Sequence, residues 1–78
     1  MSAAMKKRLH FKGTHRGMRE ADVLVGRFVH ACLARAPEEV WPVLDAFLDG
    51  DDGELIKILT GGAPWPSFCA HLAVYSDG

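Results

Sequence analysis

The sequence predicts an all-α protein, a small compact bundle of five short helices forming one domain over residues 1–78. Three observations carry that prediction. Apolar residues recur every three to four positions through most of the chain, which is the helical period. No stretch alternates apolar and polar side chains for long enough to make a strand. The periodic stretches are separated by short links rich in glycine, proline and aspartate. With 49% hydrophobic residues the 78-residue chain has enough apolar matter for a core, which excludes a disordered segment.

The first helix is expected over residues 4–12, with Leu9 and Phe11 as its apolar side chains and Gly13-Thr14 as its stop. The second is expected from Gly17 to Arg35. At about 100° per residue, Ala21, Leu24, Val25, Phe28, Val29 and Cys32 share one arc. Arg16, Arg19, Glu20, Val23, Arg27 and His30 fall on the opposite arc. Pro37 opens the third helix, with Glu38 and Glu39 placed where the helix dipole favours acid and Val40, Trp41, Leu44, Phe47 and Leu48 as a buried stripe. Pro42 lacks a backbone donor, so this helix must kink or start late.

Asp51 is placed to cap a fourth helix, with Glu54 three residues on. Leu55, Ile58 and Leu59 point inward and Gly61-Gly62 ends the helix. A rigid "APWPS" turn leads to a last helix from Pro66 to Tyr75, burying Phe68, Leu72 and Tyr75. Val23 and an exposed Trp65 loop are the places for weak self-association of what is otherwise expected to be a monomer.

Composition removes several function classes. A net charge of −1 argues against a nucleic-acid binder, and the short run Met5-Lys6-Lys7-Arg8 reads as a solvated face. Cys32 and Cys69 form no regular framework and read as small core residues. No long apolar run is present, so neither a signal peptide nor membrane insertion is expected, and a bacterial cytoplasm fits.

Catalytic residues are not found. His10, His15, His30 and His71 make no ligand pair, and His30 and Cys32 lie on different helix faces, so no metal site is expected. Gly13, Gly17 and Gly26 lack the spacing and the preceding strand of a dinucleotide-binding turn. Asp49, Asp51 and Asp52 lack the register of a calcium loop. Trp41, Trp65 and Phe68 read as core or turn packing.

What composition and packing leave unexplained is the cluster Arg16-Gly17-Met18-Arg19-Glu20-Ala21-Asp22. Arg16 and Arg19 offer forked donors for carboxylates, phosphates or carbonyls. Glu20, one turn after Arg16, is placed to orient it. Gly17 admits two readings, a positive φ that other residues resist or a bare backbone that a partner approaches closely. The second reading is the one expected, with Arg16 and Glu20 flanking the contact.

"RGMREAD" resembles the Arg-Gly-x-x-Glu signature of the SdhE family, the succinate dehydrogenase flavinylation factors, called succinate dehydrogenase assembly factor 2 in mitochondria. "KKRLHF", "DVLVGRF" and "LDGDDGELIKILTGGAPWP" resemble the family's first helix, second helix and acidic-turn segment in order. The resemblance implies a five-helix bundle that binds the flavoprotein subunit of succinate dehydrogenase or fumarate reductase. It also implies a chaperone that promotes covalent attachment of FAD to that partner, with no enzyme activity and no tightly bound cofactor of its own. The motif falls on Arg16, Gly17 and Glu20, with Asp22 and Arg19 beside them and Arg8 as a basic position of the first helix. His15 stands where many relatives have arginine, and Ile56 and Ile58 stand where relatives often place an aromatic and a tryptophan. The alternative function is an antitoxin-like regulatory binding protein of the same fold.

Overall fold

In the computed structural model, which describes residues 2–76, the elements follow in the order expected and all are helical. Helix α1 is Ser2–Thr14, α2 is Arg19–Arg35, α3 is Trp41–Leu48 and α4 is Asp52–Leu59. The fifth helical segment, Ser67–Tyr75, consists of two short 3-10 pieces that meet at a kink at Cys69. Among the described residues there is no strand.

The longest helix, α2, is the platform of the bundle. Ala21, Val25, Phe28, Val29 and Cys32 of its apolar arc are buried, as the period requires. Leu24, expected with them, is only half-buried, and Gly26 takes a buried place instead. The reason lies in α1. A Cβ added at Gly13 would sit 2.7 Å from Val29 Cγ2, and one at Gly26 would sit 3.1 Å from Thr14 Cγ2. Two bare backbone positions therefore let the end of α1 lie against the middle of α2. Gly13 is thus inside α1 as a packing residue, and the helix continues through it to Thr14 rather than stopping.

Pro42 does delay the third helix. Glu38–Val40 makes a 3-10 turn, and Pro42 then falls in the first turn of α3, where its missing N–H would have had no intrahelical partner. Trp41, Leu44, Phe47 and Leu48 are buried, with Val40 partly so. Asp51 caps α4, its side chain accepting from the backbone N–H groups of Gly53 and Glu54. At the other end Gly61 adopts φ +86°, and Gly62 N–H returns to Lys57 O at 2.7 Å, a Schellman stop.

The last segment corrects the expectation for Phe68, which is 54% exposed. The backbone leaves helical geometry at Cys69 (φ −129°, ψ 16°), so Phe68 lies on the far side of a kink from Leu72. Cys69 and Leu72 are buried, Tyr75 packs partly against the core, and Phe68 turns out. Tyr75 lies under Arg35, whose Cζ is 5.7 Å from the ring centroid. Trp65 is likewise not a free loop residue. It stacks on Phe47 at 5.1 Å and leans on Phe28 at 5.5 Å, closing the core between α2 and α3.

Both cysteines are free and fully buried. Burial pushes the Cys32 thiol up to about 12, against a small opposing pull from Arg35. Only thiolate reacts with alkylating reagents, so neither cysteine is expected to take up iodoacetamide at about pH 8 until the chain unfolds. Mass spectrometry after labelling with and without urea checks this, and fast native labelling of Cys32 would contradict it.

Candidate functional site

The singled-out cluster forms the corner between α1 and α2. Arg16 does not lie on α2. It precedes the helix, and its guanidinium turns toward the end of α3 and the start of α4. Nε donates to Asp52 Oδ1 at 2.8 Å, Nη1 to Leu48 O at 2.6 Å and to Lys12 O at 3.3 Å, and Nη2 to Gly50 O at 2.9 Å. Leu48 O is one of the terminal carbonyls of α3 that no helical N–H can satisfy. One cation thus serves the ends of α1 and α3, where helix dipoles favour positive charge, and pairs with the first acid of α4. The Arg16 side chain is 10% exposed. The idea that Glu20 orients it is therefore corrected: Asp52 and three backbone carbonyls do so.

Asp22 holds the same corner from the other side. Its Oδ1 accepts the backbone N–H of Arg16 at 2.6 Å. The residue at the helix boundary, Met18, has no side-chain cap bond, so a carboxylate from the first turn of α2 reaches back to fix the loop. Between these two ties Gly17 adopts φ +88°, the left-handed region. A Cβ there would meet nothing within 4 Å. The expectation of an ordinary φ at Gly17 is overturned. The backbone conformation requires glycine, while the space outside it is open.

A clear stability consequence follows. Gly17→Ala meets no clash, so its cost is the left-handed backbone alone, about 1–2 kcal/mol. For a domain of this size that is a fall of about 4–8 °C in Tm per kcal/mol. Gly17→Asn, better suited to positive φ, is expected to lose less. A thermal melt of the two variants decides it, and an alanine variant as stable as the parent would contradict the assignment.

Arg19 and Glu20 differ from their neighbours. Both are exposed on the first turn of α2, and neither side chain makes a hydrogen bond or ion pair within the described residues. Met18, 44% exposed, and Val23, 51% exposed, lie beside them. The corner therefore has an inner side of Arg16 and Asp22, a bare backbone at Gly17, and an outer edge of two unspent charges with two apolar side chains. Arg8 sits further back on α1, 63% exposed, with Nη2 3.2 Å from Asp45 Oδ2.

A second clamp escaped the sequence reading. Lys12 donates to Asp45 Oδ1 at 2.7 Å and to Asp49 Oδ1 at 2.6 Å, tying α1 to α3. Burial alone would lower the Lys12 pKa, but the two aspartate hydrogen bonds outweigh it and hold the group above its usual value. The Lys12 hydrogen bond in turn holds Asp49 below the usual carboxylate range. The only sequence signal was opposite charge in two separate segments, which fixes no pairing.

Among the described residues no group of three histidine, cysteine, aspartate or glutamate side chains could hold a metal ion. Among the described residues no helix is long and apolar enough to cross a membrane. Fold and site together define a small helical domain with a rigid corner that presents charge outward. Residues 7–75 match the protein family described as the flavinator of succinate dehydrogenase. The chain is 38% identical over 64 residues to the FAD assembly factor SdhE of Acetobacter pasteurianus, covering 82% of this chain. The chain belongs to the succinate dehydrogenase flavinator family. The match spans 59% of the length of that relative. No solved structure matches.

Proposed function

We propose that this chain binds the flavoprotein subunit of a bacterial succinate dehydrogenase in the cytoplasm and promotes covalent attachment of FAD to it. It acts as a monomeric chaperone, without a tightly held flavin and without catalysing a reaction of its own. Family membership supports the partner and the process; neither comparison favours the antitoxin-like alternative. The observation that carries the reading is the outer edge of the α1–α2 corner. Arg19 and Glu20 are unspent in a chain whose Arg16, Lys12, Asp22, Asp45 and Asp52 are all engaged internally. Beside them the open space over Gly17 admits a partner backbone.

In this reading the six singled-out residues divide their labour. Arg16 and Asp22 hold the corner in shape, Gly17 permits its backbone path, and Arg19, Glu20 and the exposed part of Arg8 meet the partner. Gel filtration of the chain mixed with flavin-free flavoprotein subunit tests it. Co-elution as a 1:1 complex is expected, and separate elution at micromolar concentration would refute the reading.

A further inference from the structure

Neither the core nor the corner makes use of a groove of about 530 Å³ that runs along α1, from Ala3 to His15 just past its end, against the second half of α2. Its walls include Phe11, Leu33 and Ala34, and its rim carries Lys6, Lys7, His10 and His30. No carboxylate lines it. Phe11 is 60% exposed, yet it is held in place. Its ring stacks on that of His15 at 4.1 Å and 10°, and His15 Nδ1 lies 3.0 Å from Thr14 Oγ1. An aromatic wall kept open and fixed is ready to receive a side chain without first being ordered.

Two observations say what covers it. The first is continuity. A shallower groove runs along the same seam, shares His10 and His30, and includes Asp22 and the exposed Val23 beside the corner. The second is charge. Through Ala36 the chain has eight basic and two acidic residues, and after it one basic and eight acidic, so +6 stands against −7. The groove belongs entirely to the basic part. Apolar walls under a rim of one sign fit an apolar side chain accompanied by charge of the opposite sign.

We infer that the flavoprotein subunit inserts a bulky apolar side chain, flanked by its own carboxylates, into this groove. The insertion is the second half of a contact that begins at Arg19 and Glu20, and it rests on the function proposed above. It places the partner along the whole α1–α2 seam.

Binding of the flavoprotein subunit to the full chain, measured by calorimetric titration, tests the inference with four variants. Ala34→Trp fills the groove without touching a charge, and Ala34 is exposed, so the fold should tolerate it. Lys6→Glu/Lys7→Glu reverses the rim. Lys57→Glu makes a charge change on α4, outside the groove, and Glu20→Ala reports the corner. Ala34→Trp and the double lysine variant are each expected to weaken binding by more than about tenfold, with unchanged Tm, while Lys57→Glu stays within about twofold.

Normal binding by Ala34→Trp overturns the insertion, even if the charge variants bind weakly. If Glu20→Ala also binds weakly in that case, the corner contact survives without the groove. No binding by the parent chain overturns the insertion and the proposed function together. Concentration-dependent self-association of the parent that Ala34→Trp abolishes would make a second copy the occupant and overturn the inference.

Discussion

Arg16→Ala is expected to lower the melting temperature by roughly 10–20 °C and to reduce flavinylation of the partner in step with the loss of fold. The arginine is not a surface charge. Its removal leaves the carbonyls of Leu48 and Gly50 without their donor and strands Asp52, which is 23% exposed. Breaking a fully buried pair costs about 3–5 kcal/mol. The partial exposure of Asp52 brings the figure down to about 2–3 kcal/mol, since water screens what remains. At about 4–8 °C per kcal/mol for a domain of this size, the fall in Tm is large. Arg16→Lys should recover only part of it, because an ammonium cannot reproduce the fork that reaches Leu48, Gly50 and Asp52 at once. Circular dichroism melts of the two variants check this; an alanine variant as stable as the parent would mean that these bonds are not what holds the corner.

Glu20→Ala is expected to do the reverse, lowering covalent flavin in the partner severalfold while leaving the domain folded. The Glu20 side chain has no hydrogen bond or ion pair to lose within the described residues. What it gives the chain is a favourable charge in the first turn of α2, less than about 1 kcal/mol. A Tm within a few degrees of the parent is therefore consistent with complete loss of the partner contact. Glu20→Gln, which keeps the shape and removes the charge, should behave as the alanine does if the partner supplies a cation. Wild-type flavinylation by a folded Glu20→Ala protein would remove Glu20 from the contact.

The two arginines and the glutamate show why the motif was only half legible in sequence. Spacing of three and four residues reports what shares a helix face, and it correctly grouped Ala21, Val25, Phe28, Val29 and Cys32 as core. Asp51 as a cap and Pro42 as a late start were readable for the same reason, since both act within one turn. Arg16 finds Asp52 thirty-six residues away, and no local pattern announces that pairing. With its true partner out of view, Glu20 at one turn's distance became the apparent one. Gly17 was ambiguous because a bare backbone and a left-handed φ call for the same residue. Gly13 misled in a related way: glycine near a helix end reads as a stop, whereas here it admits Val29. Phe68 failed because the backbone kinks at Cys69, and a helical period carried unbroken from Leu72 back to Phe68 assigns it to the wrong face.

The measurement that bears most directly on the account is covalent flavin in the partner. A succinate dehydrogenase flavoprotein subunit is expressed in cells lacking their own flavinylation factor, alone, with this chain, or with its Glu20→Ala variant, and run on a denaturing gel read for flavin fluorescence. The account predicts a fluorescent band with the parent chain, and a faint one or none in the other two lanes at equal protein. Equal fluorescence with and without the parent chain would contradict it.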